Sequence, residues 1–236
     1  MDGRAGKITR NVVEAITSHE EYVRVLTRNP ILALQDLDVF KEGGEYVTIG
    51  SSIPCMDSDQ VSAIETSAPA PEHRLRGLKE FNKHGVQTFV SMSPTYPTQD
   101  KDDLRAHLER ISECDPAVVF HEPINPRGGN FEMTVQAARD AGEDELATEL
   151  ENLRDQDRWI EYSINHLRWV QELGYELDLP VHLWPDKQLI NHVPEKEQAW
   201  LQDWRDRQSP EEFAERDTPI DTPPTYPADQ TASHKL

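Results

Sequence analysis

The sequence predicts an α/β fold of parallel βαβ units, and two observations carry that prediction. Short β-branched runs alternate with amphipathic helical segments over residues 8–123, the pattern of strands joined by crossover helices. Each run also ends in small or polar residues just before a helix start, where such folds gather ligands. Helices then either cover both faces of a sheet or ring a barrel.

The elements follow in order. "ITRNVVEAITSH" places Ile8, Val12, Ala15 and Ile16 at helical spacing, predicting an amphipathic helix with Thr9 or Arg10 outward. "YVRVLT" is a strand stopped at "RNP", because proline forbids helix in the residue before it. "ILALQDLDVFKEGG" is a short helix closed by glycines, so "KEGGE" reads as a C-cap turn and not as a phosphate loop, which would follow a strand. "EYVTIGSS" is the second strand, and "PAPEHRLRGLKEFNKHG" is a helix with Pro at its start and Gly at its close. "VQTFVSMSP" is the third strand, "TQDKDDLRAHLERIS" a helix with an acidic first turn, and "PAVVFHEP" the fourth strand. Beyond Asn130 comes a helical extension, 131–208, with a break near Gly142 and one further strand at "LPVHLWP". Residues 209–236 are rich in Pro, Asp and Thr with little to bury, which predicts a disordered tail.

Charge excludes several classes of partner. The chain carries 44 Asp and Glu against 24 Lys and Arg, a formal charge of −20, and such a surface repels nucleic acid and anionic membrane. Eight lysines beside 16 arginines and many acids fit a halophilic interior, where salt screens the self-repulsion. No apolar run has membrane-spanning length and "MDGRAGKITRNVVEAI" lacks the form of a secretory leader, so a cytoplasmic location is expected. Cys55 and Cys114 alone make neither a disulfide framework nor a cysteine-only metal site. His121, His166, His182 and His192 lack ligand-like spacing, so no metal is assigned to them.

Polar chemistry collects at the predicted strand ends. These are Thr27, Arg28 and Asn29; Ser51 and Ser52; Ser91, Ser93 and Thr95; and His121, Glu122, Asn125 and Arg127 in "FHEPINPRGGN". Arg127 is a candidate clamp for a carboxylate or phosphate, with Gly128 and Gly129 opening backbone amides to a small-molecule ligand. The alternative at both Arg28 and Arg127 is pairing with a nearby acid.

"VRVLTRNP", "VTIGSSI", "ETSAPAPEHRLRGLKEFNKHGVQTFVSMSPTYPT" and "VVFHEPINPRGGN" occur in one order over Ile8 to Asn130. Together they resemble radical S-adenosylmethionine proteins of the spore photoproduct lyase-like group, in which a strand ends in a Thr-Lys/Arg-x-Pro turn and a helix of pattern "EP.AP...R...L..L...G" follows. The resemblance implies a partial (βα) barrel with outer helices over residues 1–130, binding S-adenosylmethionine and an iron-sulfur cluster that together generate a 5′-deoxyadenosyl radical. It implies S-adenosylmethionine contacts at Arg28 and at Ser51 or Ser52, and a substrate side at Ser93, Thr95, His121, Glu122, Asn125 and Arg127. The family's CxxxCxxC loop and the strands around it have no counterpart in this sequence. A truncated or split enzyme is therefore expected, its cluster supplied by a separate polypeptide carrying that loop. Two alternatives stand beside it: a cluster-free binding module holding a small anionic ligand through Arg28 and Arg127, and a decayed product that folds poorly.

Overall fold

Five parallel strands form one sheet in the sequential order β1-β2-β3-β4-β5 in a computed structural model that describes residues 3–207 and Tyr226. The strands are β1 (Val23–Thr27), β2 (Val47–Ser52), β3 (Thr88–Thr95), β4 (Val118–Pro123) and β5 (Val181–Leu183). The helices are α1 (Gly3–Thr17), α2 (Pro30–Ala33), α3 (Leu37–Gly43), α4 (Ser58–Ile64), α5 (Pro71–Lys83), α6 (Lys101–Ser112), α7 (Gly128–Ala141), α8 (Asp144–Asn152), α9 (Gln156–Glu176), α10 (Lys187–His192) and α11 (Glu195–Asp206). Each crossover steps to the next strand in the same direction. Right-handed crossovers that all step one way place their helices on one face of the sheet, which curves into the arc of a partial barrel.

Local chemistry explains the boundaries. Asn29 caps α2 by accepting the Leu32 amide at 3.1 Å, and Pro30 occupies the first turn, where its missing N–H costs nothing. Gly44 closes α3 at φ +55°, as the C-cap reading of "KEGGE" expects. Asp100 and Asp103 form a capping box on α6. The helical stretch after Asn130 is three helices, not two: Gly142 ends α7 in the left-handed region at φ +82°, and the turn before Asp155, which caps α9, makes a second break. The short helix α4 carries no long apolar period and is not anticipated by the strand–helix alternation.

Period-2 alternation sorts the strand residues. Val90 and Met92 of β3, Val119 of β4 and Leu183 of β5 share one core with Leu104 and Leu108 of α6 and Leu167 and Val170 of α9. A smaller cluster joins Val13 of α1, Val39 and Phe40 of α3, Val47 and Ile49 of β2 and Phe81 of α5, with Val23 and Val25 of β1 against it. On α1 the buried residue is Val13, 1% exposed, while Ile8 and Val12, expected inward, are 64% and 47% exposed. The β5 strand pairs with β4, and helices from both sides of Asn130 share the larger core. The tail expected to be disordered lies outside the described residues except for Tyr226, which is buried with its ring edge-on to Trp200 at 4.9 Å.

The alternate residues form the concave face. The Arg24 guanidinium lies 4.9 Å from the Phe120 ring centre and 5.6 Å from that of Phe89; Phe120 in turn meets Phe89, His182 and Trp184. Gly50 pairs in register with Phe89, and a Cβ there would stand 2.4 Å from the phenyl ring. Gly50→Ala is therefore expected to displace a rigid ring at a cost of about 1–3 kcal/mol. Urea denaturation of the two proteins measures it.

Candidate functional site

The loops after β1, β2, β3 and β4 meet at the carboxyl end of the arc, and the strongest bonds there join protein to protein. Arg74 of α5 is fully buried; its Nε donates to the Pro69 carbonyl at 2.7 Å and its Nη1 to the Ser52 carbonyl at 2.8 Å. Its Nη2 lies 2.6 Å from Glu65, whose other oxygen is 3.0 Å from Arg28 Nε. A buried guanidinium needs such a set, because an unpaired charge away from water is far too costly. Glu65 and Arg74 are the first and last residues of "ETSAPAPEHR", and Arg28 belongs to "TRNP". The segments that carry the sequence resemblance thus contact one another at the ends of β1 and β2.

The other predicted residues are placed in several ways. Ser51 and Ser52 donate to the carbonyls of Thr27 and Ser93 at 2.7 and 3.1 Å, tying β2 to β1 and to β3. Asn125 and Arg127 both bond Asp186, the residue that caps α10, and Arg127 also stacks 5.2 Å from the Trp159 ring centre. Arg127 is thus engaged by protein groups, as the acid-pairing alternative expects. Arg28 is 64% exposed at its side chain and, among the described residues, engages Glu65 through Nε, with no described partner at its terminal nitrogens.

His121 and Thr95 serve the opposite face. His121 is fully buried and its Nδ1 donates to the Met92 carbonyl at 3.3 Å. His107 of α6 and His166 of α9 lie within electrostatic reach of it, and burial holds all three imidazoles neutral with pKa values lowered to about 3. Thr95 Oγ1 meets His166 Nδ1 at 3.2 Å, and the Thr95 carbonyl accepts from Tyr162, whose hydroxyl also takes the Ile124 amide at 2.9 Å. His182 belongs to the concave aromatic face and His192 bonds the Gln188 carbonyl on α10.

Glu122 has a different environment. It follows Phe120 by two residues on the concave face, is half-buried, and no described residue bonds its carboxylate. Desolvation first, and then Asp186, push its pKa above the ordinary carboxylate range. A half-buried, unpaired acceptor beside Phe120 suits a hydrogen-bond donor or cation of a ligand.

Arg24, Glu65, Arg74, Phe120 and Tyr162 are absent from the set of sequence candidates. Alternation within "VRVLT" and "VVFHEP" was the available signal for Arg24 and Phe120, and the spacing in "ETSAPAPEHR" for Glu65 and Arg74; no local signal marks Tyr162, whose partners Thr95 and Ile124 are distant in sequence.

The residues present do not fit an iron-sulfur cluster. Among the described residues no group of three or more His, Cys, Asp or Glu could hold a metal ion. Both cysteines are buried, with thiols pushed up by desolvation to about 12 at Cys55 and about 11 at Cys114, and each donates to a backbone carbonyl. Thiolate ligation requires the opposite shift. No described helix is long and apolar enough to cross a membrane.

No family model matches the chain. An uncharacterized protein, ORF301, of Acidianus two-tailed virus is 29% identical over 107 residues, covering 43% of this chain and 36% of that protein. The match therefore spans about a third of the viral protein's length. Among solved structures, SuiB of Streptococcus suis, crystallised with S-adenosylmethionine, aligns with a TM-score of 0.48 at 12% identity, covering 79% of this chain and 36% of that one. At that score the likeness carries no functional assignment.

Proposed function

We propose that this chain is the portion of a radical S-adenosylmethionine enzyme that contacts S-adenosylmethionine and substrate, its iron-sulfur loop lying on another segment. The observation that supports the reading most is the Arg28–Glu65–Arg74 bridge, which joins the "TRNP" and "ETSAPAPEHR" segments at the ligand end of the arc. The open terminal nitrogens of Arg28 are suited to the carboxylate of S-adenosylmethionine, and Glu65 fixes the guanidinium from behind. Glu122 is suited to a donor on the substrate, and the aromatic concave face excludes water from it. S-adenosylmethionine, were it held here beside a cluster on that other segment, would be the source of a 5′-deoxyadenosyl radical. No step is assigned to the cluster, because this chain's residues do not fit one.

The test is calorimetric titration of S-adenosylmethionine into protein purified without oxygen in concentrated salt, alongside iron and sulfide reconstitution. Expected are saturable binding, at least tenfold weaker in Arg28→Met at unchanged melting temperature, and no stoichiometric iron. Absence of binding removes the reading. About four irons per chain would overturn the placement of the cluster elsewhere. Equal responses to inorganic phosphate or simple carboxylates would instead favour a cluster-free module for small anions, centred on Arg28.

A further inference from the structure

We infer that the block of Phe120, Glu122, His182 and Trp184 on the concave face is a binding site for a protonated primary amine carried on an apolar stem. That the amine belongs to the substrate rests on the proposed function; that it binds rests on the geometry alone.

The sheet itself assembles the block. Phe120 of β4 and His182 of β5 are partners in register, and the Trp184 amide donates to the His121 carbonyl at 2.8 Å, which sets Trp184 beside Glu122 one step further along. Side chains alternate between the two faces of a sheet, so these four share the concave side while His121 and Leu183 face the helices. All four are half-buried, which gives a small molecule access to them. The three ring centres form a triangle with sides of 5.7, 5.9 and 6.3 Å. Their planes are inclined to one another by 57°, 48° and 71°, so they make a faceted wall instead of a stack.

Charge selects the ligand. Glu122 pairs with no described Lys or Arg, and the influences on it, burial and then Asp186, both disfavour its ionised form. The Asp186 oxygens are themselves taken by Asn125 and Arg127. A half-buried carboxylate without a counter-charge is unfavourable, and an ammonium supplies both the charge and N–H donors for its oxygens. Aromatic faces attract the same positive charge, and an apolar stem can lie along the rings. The chain already holds one cation on this face, the Arg24 guanidinium beside Phe89 and Phe120. An anion would instead meet Glu122 and Asp186, and a neutral donor would leave the carboxylate without its counter-charge.

The site is tested by calorimetric titration of hexylammonium chloride into the full chain at pH 8, where the amine is protonated. Saturable binding is expected, about tenfold tighter than that of hexan-1-ol or hexanoate and about tenfold weaker in Glu122→Gln, which keeps the side-chain shape. Trp184→Leu should weaken it roughly fivefold. Saturating S-adenosylmethionine should leave the hexylammonium affinity unchanged, because a substrate and S-adenosylmethionine must be held together. Nα-acetyl-lysinamide binding as tightly as hexylammonium would assign the ammonium to a peptide, and weaker binding would assign it to a free amine. No binding of hexylammonium, equal binding of hexan-1-ol, an unaltered affinity in Glu122→Gln, or competitive displacement by S-adenosylmethionine would each overturn the inference. Failure of S-adenosylmethionine to bind, with hexylammonium bound as expected, would remove the radical-enzyme reading and leave the amine site standing.

Discussion

Replacing Arg74 by methionine is expected to cost about 3–5 kcal/mol, the range for breaking one side of a buried ion pair. Methionine approximates the length of the side chain, so the loss comes from charge and hydrogen bonds and little from volume. The carbonyls of Pro69 and Ser52 lose their donor and the Glu65 carboxylate loses its buried ion-pair partner at once. Glu65 keeps Arg28, but that arginine is largely exposed and holds it through Nε alone. Arg74→Lys should recover only part of the loss, because an ammonium cannot present three donors in one plane toward three fixed acceptors. Paired Arg74→Met and Glu65→Gln should cost less than the sum of the single changes, since the second removes the stranded charge. Urea denaturation in concentrated salt reads all four variants. An Arg74→Met cost below about 1 kcal/mol would mean that the bridge is a surface pair in energetic terms.

Acid is the second large lever. Burial holds His107, His121 and His166 neutral in the fold, with pKa values of about 3 against the ordinary 6.5. Because the folded values are depressed, the unfolded chain binds more protons between pH 6.5 and 3. The stability that these groups contribute is complete above 6.5 and is lost as pH falls toward 3. Each unshared proton contributes about 1.4 kcal/mol per pH unit, so three give a slope of about 4 kcal/mol per unit. A domain with the usual 5–15 kcal/mol of stability would then unfold between about pH 5.5 and pH 3. Paired acids with lowered pKa values, such as Glu72 held by Arg110, act in the same direction; Glu122, raised by burial, acts against it.

His107 separates the histidine effect from the carboxylates. Among the described residues neither of its ring nitrogens has a hydrogen-bond partner, so His107→Leu removes a buried polar group without stranding another. It should be neutral or stabilising by about 1 kcal/mol at pH 8 and should lower the acid slope by about 1.4 kcal/mol per unit. Denaturation midpoints at half-unit steps from pH 8 to 4 check both numbers. A slope unchanged by the substitution would show that His107 is protonated in the folded state.

The sequence by itself determined the parts of this protein that depend on neighbours along the chain. Alternation in "VRVLT", "VTIGSS" and "VVFHEP", the apolar run in "LPVHLWP", Pro at helix starts and Gly at their ends are short-range signals, and they located the five strands and most of the helices. The parallel sense followed from the strand–helix alternation, because consecutive parallel strands require a crossover. Tertiary structure alone decided which polar residues at the strand ends are free. Arg127 and Arg28 look equivalent in sequence, yet Asp186, 59 residues from Arg127, engages one, while Glu65 takes only the Nε of the other. His121 lies among the polar residues of "FHEPINP", but β4 turns it to the helix side while Glu122 faces the concave side. A one-residue step reverses the face of a strand residue, and which face opens to ligand is fixed by where the helices pack. Leu26 and Val25 are equally apolar, yet Val25 packs on the helix-side core while Leu26, one residue on, faces the other side and stays in water.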